Sequence, residues 1–256
     1  FAELEGLCRG VELIGELSAR TLDNILSFGE LLSTKIAAAY LTSIGVECEW
    51  ADSRELIVTD SNFGFAAVDF RATNERVARY FAGRSSRLTI LPGFIAKDGG
   101  GNTTTLGRGG SDYSAAIFAA ALDADVLEIW TDVSGMKTAD PRFVRNVRDI
   151  PRITYREAME LSHFGAKVIY PPTIQPVMAK GIPVWIKNTF APDDIGTLIE
   201  SETNCDGEII RGISSIDKIA ILNLEGSGMV GVPGFSRRLF DALSRAQINV
   251  ILITQS

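Results

Sequence analysis

Leu106-Gly107-Arg108-Gly109-Gly110-Ser111-Asp112, followed by Tyr113-Ser114-Ala115-Ala116-Ile117-Phe118-Ala119-Ala120-Ala121-Leu122, is the stretch on which the reading turns. Three glycines let a backbone approach a ligand closely. Ser111 or Asp112 supplies an N-cap for a helix over Ser111–Leu122 that is apolar almost all round and therefore buried. The start of that helix offers free N–H groups and the positive end of a dipole, and Arg108 can hold a carboxylate in bidentate fashion. Glycine-rich corners are common, but glycines, an arginine and a helix start in one run describe an anion site.

Working outward, the neighbours alternate between strands and helices. The pattern predicts a helix over Glu30–Ile44 with Leu32, Ile36, Ala39, Tyr40 and Ser43 on one face and Gly45 as its stop. A strand follows over Val46–Trp50, then a polar helix over Thr73–Ala82 and a strand over Leu88–Leu91. A long loop from Ala96 to Gly110 holds six glycines and three consecutive threonines. Beyond the glycine stretch come a strand over Val126–Trp130, an amphipathic helix over Thr154–Ala166 and a strand over Ile182–Ile186. This alternation predicts an α/β fold with a mainly parallel sheet flanked by helices, with the anion site at the carboxyl edge of the strands. Ala191–Ser215 turns polar, and a domain junction is placed near residues 200–212. After it, Ile219–Leu224, Phe235–Ala246 and Ile248–Thr254 read as a βαβ unit too small to stand alone.

Bulk composition excludes several classes. The chain has 256 residues, 46% hydrophobic and 22% charged, with a net charge of -7. That balance argues against nucleic acid as a partner. The longest strictly apolar run, Ala115–Leu122, falls far short of the roughly twenty residues a membrane span needs. Cys8, Cys48 and Cys205 are odd in number and sit at no metal-ligand spacing, which fits a reducing compartment and no metal site. His163 is the single histidine, so no triad or His-based metal centre is expected, and a structural role is assigned to it. The sequence begins with Phe and ends after an apolar run, and is read as a fragment.

Other segments carry possible chemistry. Trp130-Thr131-Asp132-Val133 and Asp140-Pro141-Arg142 suit a nucleotide, with polar groups for ribose or base and an arginine for phosphate; a polar loop after a core strand would look the same. In Phe164-Gly165-Ala166-Lys167-Val168 a lysine past a helix end can reach a phosphate or merely complement the dipole. In Ser27-Phe28-Gly29-Glu30, Glu30 reads either as a first-turn acid or as a carboxylate for a substrate ammonium group.

Together these five stretches resemble the aspartate kinases, in that family's order and spacing, over roughly residues 10–256. The tail from Gly226 is similar to the first half of an ACT regulatory domain, and its ending, Leu252-Ile253-Thr254-Gln255-Ser256, to the threonine-responsive branch. The resemblance implies a carbamate-kinase-like catalytic domain over 1–205 and a partial α+β ACT domain over 206–256. It implies phosphorylation of the aspartate side chain by ATP with Mg²⁺, the first step towards lysine, threonine and methionine, in the cytoplasm. Glu30, Arg108, Gly110 and Ser111 would bind aspartate, and Arg108 and Asp112 would serve catalysis. Thr131, Asp132, Lys137, Arg142, Lys167 and Val168 would bind ATP, although relatives often carry Tyr where Lys137 stands. Gln255 would meet an amino-acid effector, threonine or lysine, and ACT units would pair two chains. Two departures stand out: the family's Lys-Phe-Gly-Gly-Thr-Ser strand is absent from this chain, and Tyr170 replaces a common His. The competing readings are a related amino-acid or carbamate kinase and a sensor that binds without turnover.

Overall fold

The computed structural model describes residues 1–256 except 164–167, 204–209, 227–233, 247 and 255–256. The chain divides into two compact units, Phe1–Ile216 and Asp217–Ser256.

The first unit opens with two helices, α1 (Ala2–Ile14) and α2 (Ala19–Ser43). Ser18 caps α2 by accepting the Thr21 amide at 3.2 Å, so this helix begins well before Glu30. Gly29 lies inside it. Inside a helix it costs only about 1 kcal/mol relative to alanine, and it is exposed, with open space where a Cβ would stand. The buried face of α2 is Asp23, Ser27, Leu31 and Ala38. The expected stripe is on the other side: Ile36 and Tyr40 are 68% and 63% exposed.

Next come β1 (Glu49–Trp50), β2 (Val58–Thr59), α3 (Phe70–Phe81) and β3 (Thr89–Ile90). The stretch expected to be one loop instead forms a hairpin, β4 (Ile95–Asp98) and β5 (Thr103–Thr105). The β-branched threonines pair as a strand, and Gly99–Gly101 make the turn. The Asp98 side chain fastens that turn by accepting the amides of Gly100 and Asn102.

Helix α4 (Gly110–Ala121) starts after Gly109, which holds φ 68° and makes no side-chain cap bond. Ser111 and Asp112 are therefore first-turn residues and not caps. The rest of the unit is β6 (Leu127–Thr131), β7 (Arg152–Thr154), α5 (Tyr155–His163), α6 (Pro171–Lys180), β8 (Val184–Asn188) and β9 (Thr197–Glu200). Sheets run β1-β3, β2-β4-β5 and β6-β8-β9-β7. Among the described residues, the pairings β1-β3, β2-β4, β6-β8 and β7-β9 are parallel, and β4-β5 and β8-β9 antiparallel. This is the expected α/β fold with a mainly parallel character.

Helix α4 is buried almost all round because two hydrophobic clusters claim it. Ala116 and Ala119 join the cluster beneath β6, β8 and β9, with Ile129, Ile174, Val184 and Ile186. Ile117 and Phe118 join a second cluster with Ile57, Val77, Ala96 and Leu106. Fully burying side chains such as Ile117 and Phe118 contributes about 1.5–3 kcal/mol each, and the small alanines let α4 pack closely on the other cluster, so the helix that carries the glycine stretch is held from both sides.

In the second unit only α7 (Phe235–Arg245) forms among the described residues. The strands expected over Ile219–Leu224 and Ile248–Thr254 are absent there. Ile221 and Leu252 are 91% and 79% exposed, since apolar runs become strands only against a sheet that takes up their backbone groups and one face.

Candidate active site

The glycine stretch is shaped by contact. Gly109 lies in left-handed backbone, and a Cβ there would stand 2.4 Å from Tyr170 Cβ. A Cβ on Gly107, also left-handed, would stand 2.4 Å from a ring atom of Phe65. Ser114, 1% exposed, fastens the first turn of α4: its hydroxyl donates to Gly110 O at 2.6 Å and accepts the Phe94 amide at 2.7 Å. The amides of Gly110 and Tyr113 are used locally, bonding Gly107 O and Gly109 O. Those of Arg108, Gly109, Ser111 and Asp112 find no partner among the described residues. Four open donors at a helix start form an anion cradle.

Topology places the cradle at the carboxyl edge of the sheet. Short turns connect α4 to β6 and α6 to β8, and β6 and β8 are parallel, with Thr131 opposite Asn188. The helix C-termini meet where Lys180 Nζ approaches Asp123 Oδ1 at 2.6 Å, and the N-termini meet at Gly109 and Tyr170. Both helix starts therefore lie at the end where β6 and β8 finish.

Arg108 is exposed at this edge, and Asp112 is half-buried. Burial raises the Asp112 carboxyl above the usual carboxylate range. Glu30 is half-buried in the middle of α2, and burial raises its carboxyl too. The first-turn reading of Glu30 falls, because α2 starts eleven residues earlier.

The nucleotide candidates cluster after β6. Thr131 ends the strand and its hydroxyl donates to Asp132 at 3.2 Å. The following turn is tied down by Thr197, whose hydroxyl accepts the Met136 amide at 2.7 Å and donates to Ile150 O at 2.6 Å. Ser134 links to Asn188 and Asp194. Lys137 pairs with Asp149. Arg142 forks onto Asp140 at 2.6 to 3.1 Å, and that guanidinium holds the Asp140 carboxyl below the usual range. Both cations thus reach a phosphate only by leaving an acid partner. Val168 is half-buried against the core beneath the sheet. Lys167 and Gln255 lie outside the described residues.

The sequence pattern of the amino acid kinase family matches residues 6–188, and that of an ACT domain matches residues 222–256. The chain belongs to the amino acid kinase family. The chain is 38% identical over 256 residues to a bifunctional aspartokinase/homoserine dehydrogenase of Haemophilus influenzae, covering 100% of this chain and 31% of the relative. Among solved structures it is similar to Escherichia coli aspartokinase III in complex with aspartate and ADP (R-state), with 34% identity and TM-score 0.81, covering all of this chain and 58% of the other. It is also similar to that enzyme with lysine and aspartate (T-state), at TM-score 0.75 and 34% identity. The chain thus spans about a third to three-fifths of the length of these relatives.

The sequence alone did not point to several residues around this site. Tyr170 was left without a role, yet it is the wall behind Gly109. Thr197 and Ser134 hold the turn after β6, and Asp23 bonds to Thr105 just upstream of the glycines. The signal for Tyr170 was in the Tyr-Pro-Pro run that starts α6. Asp23 carried none, because its partners lie 41 and 82 residues away.

Proposed function

We propose that this chain is the catalytic part of an aspartate kinase, transferring the γ-phosphoryl group of ATP to the side-chain carboxylate of aspartate. The observation that carries the reading is the cradle of open amides at the head of α4, at the carboxyl edge of the sheet beside Arg108. The nucleophile is a carboxylate with a reference pKa of about 3.9, already ionised at neutral pH. No general base is required, which agrees with a structural His163. The site's work is to hold two anions in line and to neutralise charge on the moving group.

In this reading Arg108 takes the α-carboxylate of aspartate, Glu30 its ammonium group, and Ser111 with Gly110 the region of the side-chain carboxylate. The Ser111 and Asp112 amides face the charge that moves. Thr131, Asp132, Lys137, Arg142, Lys167 and Val168 hold ATP. Among the described residues no cluster of three acids, histidines or cysteines could cage a metal. That fits Mg²⁺ arriving on phosphate oxygens, with Asp112 or Asp132 as a single added carboxylate. When bound, the ion offsets phosphate charge.

We assign the catalytic part to 1–205 and the ACT part to 206–256, with a free amino acid, threonine or lysine, as effector near Gln255 and pairing of two chains through the ACT parts. A cytoplasmic location fits the cysteine pattern and the absence, among the described residues, of a helix long and apolar enough to cross a membrane.

The test uses the product of the full open reading frame with ATP and aspartate, trapping the acyl phosphate with hydroxylamine. Aspartyl hydroxamate with ADP release is the expected result. Binding without turnover would make the protein a sensor. Turnover of glutamate or carbamate in place of aspartate would make it another member of the family.

A further inference from the structure

Asp23 is a buried carboxylate for which the proposed chemistry has no use. It is 1% exposed and makes no ion pair among the described residues. Its partners are neutral donors: Oδ2 accepts the amides of Gly64 and Thr105, each at 2.9 Å, and Oδ1 accepts the Thr105 hydroxyl at 2.9 Å. These three pin α2 to the two segments that frame the glycines. Gly64 precedes Phe65, whose ring fills the space a Cβ on Gly107 would need. Thr105 stands two residues before Gly107. Glu30 is seven residues beyond Asp23, so it lies on the same helix face, two turns and about 10 Å further along the axis.

We propose that Asp23 is a positioning residue that sets the spacing between Glu30, at the ammonium end of bound aspartate, and Arg108 with the α4 amides, at its carboxylate ends. This deepens the kinase reading and rests on it. Asp23 touches no substrate. It acts by fixing where α2 sits along β5, and a misplacement of about 1 Å between substrate contacts can cost on the order of 100-fold.

Steady-state kinetics of the full-length product tests this. Asp23→Ala raises the KM for aspartate at least about tenfold while the KM for ATP moves less than about threefold. Asp23→Asn recovers most of that loss, since one carbonyl oxygen accepts both amides while the NH₂ group turns to the Thr105 hydroxyl. If Asp23→Ala does not fold, Thr105→Val, which removes one donor only, raises the same KM about threefold. Folded variants with an unchanged aspartate KM, altered only in kcat or Tm, overturn the role. A wild-type protein that forms no aspartyl hydroxamate overturns the kinase reading and this role together, whereas an active wild type with indifferent variants overturns this role alone.

Discussion

Helices α4 and α6 begin side by side at one edge of the sheet, yet they begin differently. Helix α4 opens Gly109-Gly110-Ser111-Asp112 and leaves the Ser111 and Asp112 amides open. Helix α6 opens Tyr170-Pro171-Pro172-Thr173, where the two prolines have no N–H and the Thr173 amide bonds Tyr170 O at 2.9 Å. Both present the positive end of a dipole, worth about 0.3–1 kcal/mol to an exposed charge. Only α4 adds donors that can aim at an anion. A helix end becomes an anion site through its amides; the dipole alone, as at α6, builds a wall.

The strongest way to break this comparison is at the contact between the two starts. Gly109→Ala drives a methyl into Tyr170 in left-handed backbone. Overpacking at about 1–3 kcal/mol plus strain of about 1–2 kcal/mol predicts a loss of kcat/KM of about 30-fold or more, read by hydroxamate formation. Adding Tyr170→Ala removes the clash and restores part of the activity. Next in size is Arg108→Ala. Losing a charged hydrogen-bonding partner at about 1.5–3 kcal/mol predicts a rise of about 10- to 100-fold in the aspartate KM, with Tm unchanged because Arg108 is exposed.

Making α4 start as α6 does is sharper still. Ser111→Pro removes one open amide together with the Ser111 hydroxyl, at a position where helices tolerate proline, and predicts a fall of about tenfold or more in kcat. The reverse exchange, Pro172→Ala, gives α6 a donor away from the reactants and predicts less than about a twofold change in either constant.

Acidity tests the ammonium end. Burial raises the Glu30 carboxyl above the usual range, while a bound ammonium favours its ionised form. Affinity for aspartate is then full above the raised pKa of the free protein and is lost as pH falls through it. A profile of aspartate KM against pH rises on the acid side, at higher pH than an ordinary glutamate would give, and Glu30→Gln flattens it.

The fold around α4 was legible because its signals are local: a glycine run, a polar first turn and an apolar helix between two strands. Thr131 at a strand end and the helix of Thr73–Ala82 were read for the same reason. What the sequence hid depends on distant partners. Thr103–Thr105 looked like loop until Ile95–Lys97 paired with them. The helix was read only from Glu30, and the α2 face was misjudged, because the buried members of its first half, Asp23 and Ser27, are polar. Ile219–Leu224 has the pattern of a strand, but nothing described pairs with it. Arg142 and Lys137 were assigned to ATP, and the folded loop pairs them with Asp140 and Asp149.

The most direct measurement records the backbone amides themselves. On the full-length protein, amide-resolved NMR is followed while aspartate and a non-hydrolysable ATP analogue are added. The account predicts that the Ser111 and Asp112 amide resonances move with saturation while that of Thr173 stays in place. Saturable binding that shifts Thr173 and leaves Ser111 and Asp112 untouched would contradict it.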